Sequence, residues 1–159
     1  MGKYGLALHS DKTRLFAFRR PPKSKQDGKG EATFDFLGFT FYWARARTGR
    51  WCMWCKTRSA SLNRGIQAIY DWCRRNRHLP VKAQRKGLAR RVRGHYNYFG
   101  VSGNFRSLLN YADAVRGAWY KWLSRRSQRT RLTWERYTLL LQRRWALPRP
   151  RIAVHIWGS

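Results

Sequence analysis

Residues 72–112 read WCRRNRHLPVKAQRKGLARRVRGHYNYFGVSGNFRSLLNYA and contain no Asp or Glu, although Lys or Arg recurs every few positions. Apolar residues return at helical spacing, at Leu88, at Val92, at His95 or Tyr96, and at Phe99. Pro80 suits the first turn of such a helix, and the glycines of residues 100–103 (GVSG) would end it. The stretch therefore predicts one helix, a break, and the start of another.

The opposite side of the predicted helix carries positive charge. Its polar residues are spaced 4, 3 and 4 apart, so they share one face. Basic charge interleaved with aromatic rings suits a polyanion whose bases can stack, which favours nucleic acid and RNA in particular. Asn97 and Tyr98, which lie off the apolar stripe, are our candidates for base-edge and stacking contacts. The predicted RNA-binding residues are Arg74, Arg75, Arg77, Lys86, Arg90, Arg93, Asn97, Tyr98 and Arg106.

Helical periodicity also extends to both sides of this stretch. A first helix is expected from Ser59, capped by Ser59 or Ser61. A third, capped by Asn104, has the longest apolar stripe, and a short fourth helix would be capped by Thr133 and stopped by Pro148. The expected inward-facing residues of the first, third and fourth helices are Leu62, Ile66, Ile69, Cys73; Phe105, Leu108, Leu109, Ala112, Val115, Trp119, Trp122, Leu123; and Tyr137, Leu140, Leu141, Trp145.

The N-terminal part has a different pattern. Two aromatic-rich runs, residues 33–45 and 50–56, are strand-like, and Arg47-Thr48-Gly49 between them predicts a hairpin. Two or three strands without a second layer are marginal, so this part resembles the edge of a larger domain. The sequence thus predicts an α+β, predominantly helical fold, with a β-hairpin region (1–58), a bundle of three to four helices (59–150) and a C-terminal tail (151–159).

Composition limits the possible functions. The chain carries 35 Lys+Arg against 7 Asp+Glu, a net charge of +28 on 159 residues. Such charge destabilises a compact state through self-repulsion unless a polyanion is bound; a solvated basic surface or a disordered basic tail is the alternative. No apolar run is long enough to span a membrane and no secretion signal is evident. Three cysteines do not form a disulfide framework, so we expect a reducing, cytoplasmic setting.

Three segments together resemble the C-terminal half of reverse transcriptase/maturases encoded by bacterial group II introns. Residues 4–15 (YGLALHSDKTRL) look like the late palm motif with its Lys-Thr pair, and residues 33–39 (TFDFLGF) look like the Phe-Leu-Gly-Phe motif of the last palm strands. Residues 92–101 (VRGHYNYFGV) look like the signature of the maturase-specific X domain, which serves as the thumb. Segments 125–129 and 132–136 also resemble bacterial members.

The resemblance implies a function and several site residues. In that family the thumb domain binds the structured RNA of the group II intron and assists its folding and splicing, with DNA at the insertion site as a possible further partner. The palm lysine would correspond to Lys12, and the motif that supports the primer end to Phe36, Leu37, Gly38 and Phe39. The chain is therefore expected to be a thumb preceded by a remnant of the palm.

The sequence departs from the family at the polymerase site. An active polymerase needs a Tyr-Xaa-Asp-Asp turn and an earlier Asp to hold two Mg²⁺ ions, and this chain has neither. Tyr111-Ala112-Asp113 continues with Ala114 and lies on a helical stripe, which indicates coincidence. We therefore expect no catalysis and no cofactor in this chain. A part of a split reverse transcriptase, completed by an upstream catalytic segment, and an inactive remnant stay open as alternatives.

Two smaller features are interpreted as structural. Cys52 and Cys55 form a CxxC pair, but in a strand residues three apart point to opposite faces, so neither zinc binding nor redox chemistry is favoured. His95 lies on or beside an apolar stripe, where a histidine more often packs than acts as a ligand or a base.

Overall fold

The computed structural model describes residues 17–22, 29–126 and 132–155. It confirms the α+β class and the helical predominance, with an antiparallel sheet followed by helices. The strands are β1 (Lys29–Phe36), β2 (Phe39–Arg45) and β3 (Trp51–Thr57); the helices are α1 (Ser59–Arg75), α2 (Val81–Phe99), α3 (Phe105–Ser124) and α4 (Trp134–Arg143).

The sheet is a meander in the order β1-β2-β3, which corrects the interpretation of residues 33–45 as one strand-like run. The chain reverses at Leu37 and Gly38, whose φ angles of 48° and 81° are both left-handed. A two-residue turn with positive φ at both positions matches the right-handed twist of its strands. Gly49, with φ of 76°, provides the predicted second turn. The Phe-Leu-Gly-Phe segment is therefore the tip of a hairpin.

One predicted helix cap is wrong, and another is confirmed in position but makes no side-chain bond. The residue that precedes α1 is Arg58, without a side-chain capping bond, so neither Ser59 nor Ser61 caps this helix. Asn104 does precede α3, but its side chain makes no capping bond there. The prediction for α4 is confirmed, since the Thr133 hydroxyl accepts a hydrogen bond from the Arg136 amide.

The core lies among the helices. Trp119 of α3 is fully buried, and its ring meets Tyr137 of α4 edge to face at 6.0 Å and Trp145 at 5.9 Å. The apolar stripes of α1 and α2 enter the same core through Ile69, Cys73, Leu88, Val92 and Tyr96. Phe105 and Leu109 were expected to face inward and instead lie 45% and 40% exposed on α3.

A buried glutamine connects three segments of the bundle. Gln84 of α2 is 1% exposed. Its amide nitrogen donates to the Leu79 carbonyl at 2.8 Å and to the Arg77 carbonyl at 3.2 Å, while its amide oxygen accepts from the indole nitrogen of Trp119 at 3.0 Å. Both ends of a buried amide are thus satisfied, so it stabilises the core instead of leaving orphaned polar atoms.

The sheet is attached to the bundle along β3. The Thr57 amide donates to Asn104 Oδ1 at 2.7 Å, and Asn104 Nδ2 donates to the Thr57 hydroxyl and the Phe99 carbonyl, both at 2.8 Å. Phe39 meets Phe99 edge to face at 5.2 Å. The turn between α2 and α3 therefore covers the outer edge of the sheet, which would otherwise expose unpaired backbone groups.

The C-terminal segment packs against the same turn. Val154 forms a parallel bridge with Val101, and the amides of Ala153 and Val154 donate to the Gly100 carbonyl at 2.6 Å and 3.0 Å. A Cβ atom on Gly100 would lie 2.8 Å from the Arg151 carbonyl and nearer still to the Tyr96 carbonyl, so the approach requires glycine. Residues 151–154, assigned to a tail, contact the helical part directly.

Within the described ranges, no helix combines the length and the apolar character that crossing a membrane requires.

Candidate nucleic-acid interface

The outward face of α2 carries the predicted basic residues. Lys86, Arg90, Arg93 and Asn97 are all exposed, while the buried residues of the same helix are Gln84, Leu88, Val92 and Tyr96. The division between the two sides follows from the 3.6-residue period. Because the inward stripe is fixed in the core, the cations must face solvent together.

A basic cleft of about 510 Å³ separates this face from the C-terminal segment. Arg151 donates from Nη2 to Asn97 Oδ1 at 3.3 Å, which connects the two walls. Among the described residues that line the cleft, none carries a carboxylate. Its cationic lining residues are Arg85, Lys86, Arg93, Arg149 and Arg151.

In the described parts of the chain, the carboxylates of the ion pairs Asp35–Arg58 and Asp113–Arg116 lie elsewhere. Asp35 pairs with Arg58 at 3.0 Å beside the sheet, and Asp113 pairs with Arg116 on α3. Neither pair involves a residue of the cleft wall. The cleft therefore concentrates positive potential in a concave site, where the field on an anion is stronger than on a flat surface.

The remaining predicted cations fall outside this cleft. Arg74 and Arg75 are exposed in the last turn of α1, and Arg106 is exposed in the first turn of α3. Arg77 places its guanidinium 5.8 Å from the centre of the Trp122 ring. The structure thus brings Lys86, Arg93 and Asn97 together, whereas the others border different parts of the surface.

A second cationic cluster occupies the ends of α1 and α3. Arg125 joins Arg77 over the Trp122 ring at 5.5 Å, and Lys121 lies 4.8 Å from the centre of the Tyr70 ring. Trp122 is 9% exposed. These rings contact the chain's own cations, so this cluster presents charge for phosphate contacts instead of free ring faces for stacking.

Tyr98 contributes to the hairpin attachment as well as to the surface. Its hydroxyl donates to the Leu37 carbonyl at 3.0 Å, and its ring stacks on Phe39 with centroids 6.1 Å apart. The side chain nevertheless stays 55% exposed, next to Phe36 at 58% and Leu37 at 66%. Of the primer-grip-like residues, Gly38 and Phe39 are half-buried whereas Phe36 and Leu37 project.

Sequence reasoning missed Arg85, Arg149 and Arg151. The signal for the last two is the alternation Pro148-Arg149-Pro150-Arg151, because proline disfavours helix for the residue before it and keeps the chain extended. An extended basic segment after the last helix can cross a neighbouring helix and add to its charge. The sequence alone does not show which helix it crosses.

The cysteines and His95 show no reactive geometry. Cys52 and Cys55 are three residues apart in β3 and so lie on opposite faces of the strand. Cys55 is fully buried, which raises the pKa of its thiol. This thiol donates to the Ser102 carbonyl at 3.7 Å. The His95 ring stacks on Tyr111 at 3.6 Å, and burial lowers its pKa to about 4. Among the described residues, no three His, Cys, Asp or Glu side chains are grouped to hold a metal.

Several predicted features lie outside the described residues. These are Lys12 with the whole 4–15 motif, and residues 127–129 of the segment 125–129 that resembles bacterial maturases. Tyr111-Ala112-Asp113 is inside them, in the middle of α3 with Tyr111 3% exposed. A helix interior cannot provide the turn on which a polymerase carries its paired aspartates, so this segment is not a catalytic motif.

Comparison with known protein families, with curated proteins and with solved structures found no match for this chain.

Proposed function

We propose that this chain is a non-catalytic RNA-binding domain of the group II intron maturase type, which binds structured intron RNA and assists its folding and splicing. The observation that carries the proposal is the acid-free basic cleft between α2 and the C-terminal segment. Five cations around one concave space can contact several phosphates at once, which is the sequence-independent part of RNA affinity.

The segment of the chain that forms part of the cleft also supports this proposal. Part of the helical wall of the cleft, namely Arg93, Tyr96 and Asn97, belongs to the segment that resembles the thumb signature, residues 92–101. The RNA would supply the chemistry of splicing, and the protein would stabilise the RNA fold through charge and shape. The free cysteines Cys52, Cys55 and Cys73 agree with a reducing, cytoplasmic setting.

Salt dependence of RNA binding tests the proposal. If the protein contacts roughly 6–10 phosphates, the affinity for a structured RNA should fall about 10³–10⁵-fold between about 50 and 200 mM salt. Fluorescence anisotropy with a labelled intron-domain RNA would measure this slope. Absence of RNA binding at about 50 mM salt would overturn the proposed function.

A matched pair of variants locates the interface. The triple variant Arg85→Gln, Lys86→Gln, Arg93→Gln removes the three cations that α2 contributes to the cleft, and we expect the logarithmic salt slope to fall by roughly 0.9 for each phosphate that is no longer neutralised. The control triple, Arg136→Gln, Arg143→Gln, Arg144→Gln, removes the same charge from exposed positions of α4 and its C-cap. An equal decrease in both triples would show that net charge alone, and not the cleft, binds RNA.

The second candidate is a part of an RNA-directed DNA polymerase. It is favoured by the hairpin tip, where Phe36, Leu37 and Tyr98 border an apolar space of about 260 Å³ that an adjoining protein segment would cover. The catalytic carboxylates and their Mg²⁺ ions would belong to that segment. Coding sequence for Tyr-Xaa-Asp-Asp just upstream of Met1, with primer extension by the two parts mixed, would favour this candidate over the first.

A further inference from the structure

A second, apolar space adjoins the basic cleft. It has a volume of about 290 Å³ and lies between α2, α3, α4 and residues 146–150. Protein interiors contain few voids larger than a water molecule, whereas spaces of about 300 Å³ are at the lower end of those that hold small ligands. Its lining includes the apolar residues Val92, Leu109, Ala112, Val115, Leu141 and Leu147, and the cation Arg116 also borders it.

The two spaces share a wall. Tyr96 and residues 146–149 line both of them. Tyr96 is 2% exposed, and its hydroxyl is buried without a hydrogen-bond partner. An unpaired buried hydroxyl is costly, and such groups are rare unless they have a function. The boundary between the apolar space and the cleft is therefore one of the places, among the described residues, where a buried polar atom lacks a hydrogen-bond partner.

Polar groups in the apolar space could recognise a flat heteroaromatic ring. Gln142 lines the space and carries both an amide donor and a carbonyl acceptor. The Thr138 hydroxyl also lines it, and its proton is donated to the Trp134 carbonyl at 2.9 Å, which leaves the oxygen as an acceptor. Arg149 lies at the junction with the cleft.

We propose that the apolar space accepts a nucleobase extruded from the bound RNA, while the phosphates that flank this nucleotide lie in the basic cleft against Arg149 and its cationic neighbours. The inference rests on the proposed RNA binding and names the feature of the RNA that is recognised. A molecule with a flat apolar body joined to anionic groups fits both spaces at once, and an unstacked nucleotide has that chemistry.

The proposal predicts a preference for unpaired nucleotides. Extruding a base from a helix costs a few kcal/mol, and the cost is smallest when the base has no pairing partner. A bulged nucleotide therefore enters at a small energetic cost, whereas a paired one must first separate from its partner. The wild-type chain should bind a hairpin with a single bulged nucleotide about tenfold more tightly than the same hairpin fully paired, which is about 1.4 kcal/mol.

The test fills the space without altering the charge. Leu109 is 40% exposed and lines the space, so Leu109→Trp fills it from the rim. Leu139, 53% exposed on α4, is not part of the lining, and Leu139→Trp is the matched control. Anisotropy titrations with the bulged and paired hairpins give the ratio of dissociation constants. We expect Leu109→Trp to bring this ratio close to one and Leu139→Trp to leave it unchanged.

The outcomes separate this inference from the proposed function. Binding of both RNAs by the wild type with equal affinity would overturn the inference and leave RNA binding intact. Failure to bind either RNA would overturn the proposed function. A preference that survives in Leu109→Trp would place bulge recognition elsewhere and overturn the inference as well. Should Leu109→Trp melt at a lower temperature, Gln142→Trp is used in its place, because the exposed Gln142 lines the apolar space from α4 and does not line the cleft.

Discussion

The helical bundle and the three-stranded sheet differ in how they are stabilised. The bundle has a continuous core in which Trp119, Tyr137 and Leu88 are fully buried. In the sheet, the buried residues among those with described side chains are all on β3: Trp51, Cys55 and Thr57. A single small sheet has little independent stability. The bundle therefore has its own source of stability, whereas the sheet depends on its attachment to the bundle.

The largest expected effect comes from removing the centre of the core. Trp119→Ala leaves a cavity and takes the partner from Gln84, which together should lower the free energy of unfolding by about 3–5 kcal/mol. Thermal unfolding followed by circular dichroism at 222 nm measures the change. Trp134→Ala is the control, because Trp134 is 48% exposed, and a decrease as large as that of Trp119→Ala would contradict a core centred on Trp119.

The next effect should separate the sheet from the bundle. Asn104→Ala removes the side chain that bonds to Thr57 and to the Phe99 carbonyl, and each unsatisfied buried group costs about 1–3 kcal/mol. We expect amide hydrogen exchange to rise in β3 and β2 while the amides of α1 and α3 stay protected.

The control for this variant is Asn110→Ala, which truncates an exposed asparagine of α3 and should change neither region. Loss of protection throughout the chain in Asn104→Ala would show that sheet and bundle unfold as one unit, and would remove the contrast between them.

A smaller, stabilising effect is expected at the hairpin. Leu37 has a φ of 48° and is 66% exposed, so it bears the left-handed strain without gaining much burial. Asn tolerates this conformation, and Asn-Gly is a preferred pair for such turns. Leu37→Asn should raise the melting temperature of the sheet by an amount equivalent to about 1 kcal/mol or less.

The opposite sign is expected for Leu139→Asn, which puts the same residue into an exposed helical position of α4, where asparagine has a lower helix propensity than leucine. A decrease in stability for Leu37→Asn would mean that the Leu37 side chain contributes more to the sheet than its exposure indicates.

The last effect depends on pH and involves His95, which packs against Phe99 where the two regions meet. Burial lowers the pKa of His95 to about 4 from its ordinary 6.5, so the unfolded chain binds more protons between these values. Stability is therefore fully present above about pH 6.5 and falls as the pH drops toward 4. In His95→Phe, which retains an aromatic ring against Tyr111, the decline in melting temperature between pH 7 and 5 should be shallower. An unchanged decline would assign the pH dependence to other groups.

The contrast between the regions also explains which predictions were correct. Helical periodicity located all four helices, because an amphipathic stripe is a local signal. The outward placement of Lys86, Arg90 and Arg93 followed from the same period. The hairpin tip was missed because Phe36-Leu37-Gly38-Phe39 reads as a continuous apolar run, and Leu at a left-handed position is a conformation that sequence statistics do not favour.

The remaining features could not be predicted because they depend on contacts between residues far apart in the sequence. The sequence indicates that Asn104 suits a helix start, but not that Thr57, 47 residues earlier, competes for its side chain. The exposure of Phe105 and Leu109 depends on how far neighbouring helices extend over α3, which periodicity does not reveal. Only the α2 side of the cleft was predicted. Its second wall was missed because Arg151, which bonds to Asn97, lies more than fifty positions further along the chain.

Gln84 has a consequence for the rotation of α2. Consecutive residues of a helix are separated by about 100°, so a rotation of α2 by one position would turn Lys86 and Arg93 toward the core and carry part of the buried stripe outward. Burial of the apolar stripe opposes this rotation, but the hydrophobic effect is not directional. The hydrogen bonds of the Gln84 amide are directional. If α2 rotated, the amide nitrogen would lose the Leu79 carbonyl and the amide oxygen would lose the Trp119 indole. The apolar stripe of α2 turns its charge toward solvent, and the hydrogen bonds of one uncharged side chain make that direction specific.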